Sequence, residues 1–157
     1  MIEDFGWSPA LQDAFAPFAA QGLSPARVIA QHRDLWTLAT PYGESQGRLS
    51  GRFAHTAQHG GFPVVGDWAA TDPAGRQIHA LLPRRTLFQR RAAGGDGVQA
   101  LCANIDLALI VMSANADLNP RRLERYLAAT RDSGAEPLVV LTKADLGGAG
   151  EAAAALA

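Results

Sequence analysis

The sequence has one cysteine, Cys102, which removes two common ways of holding a small protein together. No intrachain disulfide can form, and no cysteine-rich zinc site can be built. Cys102 itself reads as a small core residue. Long apolar runs are also missing. The longest, Ile105 to Met112, is interrupted by Asp106 and is far shorter than the roughly 20 residues of a membrane helix. The first residues include Glu3 and Asp4 instead of a basic lead into an apolar stretch, so no signal peptide is read there and a cytoplasmic protein is expected. Basic charge is lacking overall: the formal net charge is -1 over 157 residues. Affinity for nucleic acid must therefore come from local clustering of arginine. The remaining balance, 48% hydrophobic and 18% charged, is that of a globular chain with one ordinary domain or two small ones.

What is present divides into three stretches. Residues 1–22 read as a helical lead-in. Ser8-Pro9 supplies an N-cap with proline at the first helical position, and Leu11, Phe15 and Phe18 share one helical face. Pro17 threatens to end that helix early, and Gly22 offers a stop. Residues 23–93 read as a small β-barrel. Arg27 to His32 and Leu35 to Leu38 form a hairpin turning at Arg33-Asp34. Gln46 to Ala54 alternates as a strand, with Gly51 as a bulge or a point of close packing. Val64 to Ala69 and Gln77 to Leu82 follow as strands bounded by prolines. Short strands with turn signals between them suggest a five-stranded barrel of the OB type.

Gly94-Gly95-Asp96-Gly97 reads as a joint, and the third stretch, 94–157, changes period. Asn104 to Ser113 is a continuous apolar run, as expected of a parallel strand buried on both faces. Asn119-Pro120 opens a helix with Leu123, Tyr126, Leu127 and Thr130 on one face and Gly134 at its end. Pro137 to Thr142 is a second strand. The expected fold class is α+β: a barrel, then a strand–helix–strand unit that needs more strands beside it. Glu151 to Ala157 has helical propensity.

The strongest chemical signal follows the second strand: Leu141-Thr142-Lys143-Ala144-Asp145. Open α/β sheets bind ligands at the carboxyl ends of their strands. A carboxylate there presents two acceptors to the two adjacent donors of guanine. Adenine offers no such pair and would leave the carboxylate unmatched. The alternative is a polar turn that merely ends a strand. The phosphate cradle GxxxxGK[ST] that a GTPase needs does not occur in the sequence, and Gly147-Gly148-Ala149-Gly150 lacks the following Gly-Lys-Ser/Thr.

Five segments then match in order: Val64-Val65-Gly66-Asp67-Trp68, Leu82-Pro83-Arg84-Arg85-Thr86-Leu87-Phe88, Ala103-Asn104-Ile105-Asp106, Asn119-Pro120-Arg121-Arg122-Leu123-Glu124-Arg125-Tyr126-Leu127, and Leu141 to Asp145. Together they resemble the RsgA (YjeQ) family of small ribosomal subunit-dependent GTPases, over roughly Leu23 to Leu146. The resemblance implies an N-terminal OB-fold, a circularly permuted GTPase domain and a C-terminal zinc domain. It implies GTP with magnesium as the cofactor of the full-length protein, guanine contacts from Thr142, Lys143 and Asp145, and the small subunit and its rRNA as partners of a monomer. Permutation explains why the base-reading loop comes first. The phosphate loop, the catalytic residue and the zinc ligands would then lie beyond Ala157. No catalytic residue is expected in this chain, and no GTP turnover by it alone.

A second signal is the basic stretch around Arg84, Arg85, Arg90 and Arg91, with Phe88 inside it. Arginine bonds phosphates and stacks on bases, and Arg48 and Arg52 could extend that surface. The alternative is a solvated linker with Leu87 and Phe88 packed inward. His55 and His59 are four apart, but they sit in an expected loop without further ligands and do not read as a metal site. Trp36 and Trp68 read as barrel core. The competing view of the whole chain is a stand-alone OB-fold RNA-binding module without nucleotide binding.

Overall fold

The structure, a computed structural model, describes residues 2–57, 61–91, 97–114 and 118–146, with Gly150 and Ala154. His59, Gly94 to Asp96, Gly147 to Ala149 and the alanine-rich tail apart from Ala154 lie outside the described residues. The chain divides into two compact units, Met1–Asn104 and Ile105–Ala157.

Helix α1, Pro9–Ala19, begins where expected: the Ser8 side chain accepts from the Leu11 amide at 3.4 Å. Pro17 does not cut it short. It forfeits one backbone hydrogen bond, while Phe15 and Phe18 on either side of it pack with Trp68, Ala70 and Leu82. Five strands close the barrel in the order β1-β2-β3-β5-β4: β1 Ser24–His32, β2 Leu35–Thr40, β3 Gly43–Leu49, β4 Trp68–Thr71 and β5 Gln77–Leu81. β3 and β5 run parallel, and the other pairs are antiparallel. Strand alternation sends Ala26, Val28, Trp36, Leu38, Ala69 and Ile78 inward to one core. All four residues of β4 are buried, because its outward residues Trp68 and Ala70 belong to the second cluster under α1.

Two expected strands are corrected. The one read over Gln46 to Ala54 stops at Leu49, and helix α2, Gly51–Thr56, follows. Ser50 caps it, accepting from the Phe53 amide at 3.3 Å. Leu49 and Phe53, four apart, both pack on the barrel core, a spacing that suits a helical turn as well as a strand with a bulge. Gly51 is therefore a first-turn helix residue, and His55 sits on α2 rather than in a loop. The strand read from Val64 begins only at Trp68. Gly66 has a φ of +92°, outside the strand region, and the Val64 carbonyl accepts from the Asp67 amide at 3.1 Å.

Strands β6 Leu87–Arg91 and β7 Val98–Ala103 pair as an antiparallel hairpin within the first unit. The joint expected at 94–97 falls inside the connection of that hairpin, and the division between units comes later, after Asn104. In the second unit β8 Leu107–Ser113 and β9 Glu136–Thr142 are parallel, in register from Leu107 opposite Glu136 to Ser113 opposite Thr142. Helix α3, Pro120–Ser133, joins them. Asn119 caps it, accepting from the Arg122 amide at 3.0 Å, and Gly134 ends it with a φ of +87°.

Ile110, Met112 and Leu123 form the buried cluster here, with Leu127, Val139 and Leu141 against it. Tyr126, read on the same face of α3 as Leu123, is exposed. β8 is covered on one face only. Leu109 and Val111 are 59% and 60% exposed, and Leu107 and Leu138 are open beside them. The two-sided burial expected of this strand is thus not met among the described residues.

Candidate functional site

The loop after β9 is built on Thr142. Its carbonyl accepts from the Ala114 amide at 2.8 Å, and its hydroxyl donates to the Met112 carbonyl at 3.2 Å. One residue thereby ties the end of β9 to the end of β8 through both backbone and side chain. Lys143 then takes a φ of +57°, a left-handed conformation that costs a non-glycine residue roughly 1–2 kcal/mol. A single 3-10 turn, Ala144–Leu146, follows. The outcome is a sharp reversal at the carboxyl end of two parallel strands, with Lys143 and Asp145 both exposed. Lys143 is the only lysine in the sequence. Neither side chain makes an ion pair among the described residues. No group of three metal-binding side chains occurs among the described residues.

The arginines expected to act together do different work. Arg84 points into the fold. Its Nε and Nη2 meet the two carboxylate oxygens of Asp67 at 2.8 and 2.7 Å, and Nη2 also donates to the Phe62 carbonyl at 2.9 Å. Asp67 is fully buried and accepts from the Val64 amide as well, at 2.8 Å. This is a bidentate, charge-assisted pair. Beside it stands Asn104, also buried, with a φ of +54°. Its side chain accepts from the Arg85 amide and donates to the Gly66 carbonyl, both at 2.9 Å. Its own carbonyl accepts from Arg27 at 3.1 Å, and the Arg27 guanidinium lies over the Trp68 ring, 5.1 Å from its centre. Gly66 closes the arrangement: a Cβ there would stand 2.0 Å from the Ala103 carbonyl oxygen. Three separated sequence segments thus form one clasp that holds the β6–β7 hairpin to the barrel. Sequence reading found the three segments but not that they meet. A buried Asp and an Arg 17 positions apart carry no local periodicity to signal their pairing.

The other arginines are exposed where they are described. Arg48 lies on β3 and Arg52 on α2, and they line different clefts, Arg48 beside Arg33 and Arg52 beside His79. Arg85 is exposed, and Arg90 on β6 donates from Nε to Gln99 at 3.2 Å. Arg91 ends β6. Arg84, turned inward, is thus set apart from the exposed Arg48, Arg52, Arg85 and Arg90.

The model of the RsgA GTPase family matches residues 81–156. The small ribosomal subunit biogenesis GTPase RsgA of Opitutus terrae is 42% identical over 159 residues, covering 92% of this chain. By sequence, the chain belongs with the RsgA GTPases. RsgA of Syntrophotalea carbinolica is 40% identical with the same 92% coverage, and that of Streptomyces coelicolor 42%. The chain spans 43% of the length of the first two and 40% of the third. YjeQ from Thermotoga maritima superposes with a TM-score of 0.63 at 19% identity, over 85% of this chain and 46% of its own. YloQ, described as a circularly permuted GTPase, gives 0.62 at 18%, over 85% and 45%. At that identity the two structures speak for the fold: a closed barrel followed by α/β elements.

Proposed function

We propose that the chain is the barrel and base-reading portion of a small-subunit biogenesis GTPase, circularly permuted in its motif order. The observation that carries the reading is Thr142, bonded to Met112 of β8 and to Ala114 just after it, presenting at the strand ends Lys143 and an Asp145 without an ion pair among the described residues. Asp145 accepts from the ring N–H and exocyclic amine of guanine, and the Lys143 stem lies along the base. GTP with its magnesium supplies the phosphoryl group in the whole protein. This chain contributes base selection, and because its sequence contains no GxxxxGK[ST] loop, it does not turn GTP over alone. Zinc belongs with sequence outside this chain.

The barrel, over 23–93 with its hairpin, meets small-subunit rRNA in a cytoplasmic, monomeric factor. Arg48, Arg52, Arg85, Arg90 and Arg91 supply the phosphate contacts, and Arg84 supports them by holding the fold. The first unit is compact in its own right, which favours a second reading, an RNA-binding module whose Asp145 merely ends a strand.

Titrating the chain with GTP and ATP, followed by amide shifts at Lys143 and Asp145, separates the two. Base reading requires a GTP preference that Asp145→Ala reduces by roughly 10- to 100-fold, the worth of about 1.5–3 kcal/mol for bonds to a charged group. Equal response to both nucleotides, or indifference to the substitution, leaves the RNA-binding module.

A further inference from the structure

We infer that the barrel carries a nucleobase-stacking subsite for single-stranded RNA, with Phe62 as the platform and Arg33 and Arg48 as its phosphate contacts. The inference rests on the RNA reading above and deepens it. Two clefts, of about 520 and 350 Å³, share the residues Gln31 and Phe62. The larger is bounded by the β1–β2 hairpin tip and β3, through Arg33, Asp34 and Arg48. The smaller continues to Val98 and Gln99 on β7. The two form one trough with an aromatic ring at the waist and cations at one end.

Phe62 is 44% exposed, and its backbone is held on its C-terminal side. Its carbonyl accepts from Arg84 at 2.9 Å, and the carbonyl of Pro63 accepts from the Trp36 indole at 2.9 Å. A solvent-facing ring on a held backbone gives a base a stacking surface at reduced ordering cost. Arg33 sits at the hairpin turn with a φ of +53°, and neither it nor Arg48 makes an ion pair among the described residues. Asp34 in the same cleft disfavours a phosphate next to itself and offers an acceptor to a base amine. The Gln31 amide offers both a donor and an acceptor where the clefts meet.

These features suit an unpaired strand. In a duplex the base faces are stacked on each other and unavailable, and recognition of RNA bases by stacking is confined to loops, bulges and ends. The larger cleft has the volume class of a small-ligand site.

The test uses the intact chain and fluorescent oligouridine, as single strand and as a duplex with oligoadenosine, over a salt series. Phe62→Ala and Phe62→Leu weaken single-strand binding about 5- to 150-fold, as one lost stack does, leave the salt slope unchanged and leave duplex binding unchanged. Phe62→Trp restores affinity and its fluorescence is quenched on binding. Arg33→Ala and Arg48→Ala each lower the salt slope by about 0.7. Leucine keeps the apolar volume, so its melting temperature controls for folding. Should Phe62→Leu bind the single strand like the parent while the arginine variants lose affinity, stacking is wrong and the RNA reading stands. No binding of either RNA sinks both. Loss of self-association in Phe62→Leu with RNA affinity intact assigns the trough to a second copy and overturns the proposal.

Discussion

Arg84 and Arg85 are neighbours in sequence with different surroundings. Arg84 closes on the fully buried Asp67, and Arg85 leaves its side chain exposed. Removing one partner of a buried pair strands the other charge, at a cost of about 3–5 kcal/mol. Arg84→Ala is therefore expected to lower the denaturant midpoint severely, and Arg84→Lys to recover only part, because an ammonium lacks the planar fork. Arg85→Ala is expected to stay within about 1 kcal/mol of the parent. Similar melts for Arg84→Ala and Arg85→Ala would refute this division. Gly66→Ala is expected to be at least as damaging as Arg84→Ala, since its Cβ would stand 2.0 Å from a backbone oxygen, and reduced soluble yield with a lowered melting temperature would report it. At this scale the sequence made the arginine cluster visible. It could not show which arginine turns inward, because Asp67 lies 17 residues away and is chosen by packing.

At the scale of elements, β8 carries its own control. Ile110 is 7% exposed and Val111 60%. Ile110→Ala is expected to cost roughly 2–4 kcal/mol as a core truncation, and Val111→Thr under about 0.5 kcal/mol. Equal shifts in denaturant midpoint would mean that both faces of β8 are covered in solution. A run such as Leu-Ala-Leu-Ile-Val-Met reads as a strand, but a continuous apolar run cannot reveal that one of its faces lacks a cover among the described residues. Helix α3 was legible because Asn119, Pro120 and Gly134 mark both ends. Helix α2 was not: six residues give no periodicity, and its cap Ser50 reads equally well as the polar member of an alternating strand. Ser50→Ala is expected to cost about 1 kcal/mol, seen as a drop in melting temperature, where a strand position would tolerate it.

For the whole molecule, the strand–turn pattern was enough to reach a five-stranded barrel, because hairpin turns and alternation are local. The end of the first unit was not legible. Glycines at 94–97 advertise a joint, whereas the division follows a single asparagine whose role lies in distant bonds. The solitary Lys143 provides a molecule-wide assay. Mild acylation should place one side-chain adduct on the chain, and that adduct should abolish any preference for guanine nucleotide. Retained preference in the fully acylated protein, checked by mass spectrometry, would remove Lys143 from the base site.

The clasp at Asn104 also sets an order of events during synthesis. Arg27, on the first barrel strand, bonds a carbonyl 77 residues further along the chain, and Gly66 and Arg85 take their partners from that same late asparagine. Contacts so distant in sequence form slowly. The barrel can assemble its strands as they emerge, but it is locked only when the last residue of its unit has left the peptide exit tunnel. A piece ended at residue 93, where the glycines invite a cut, would forgo that lock. A piece ended after Asn104 would keep it.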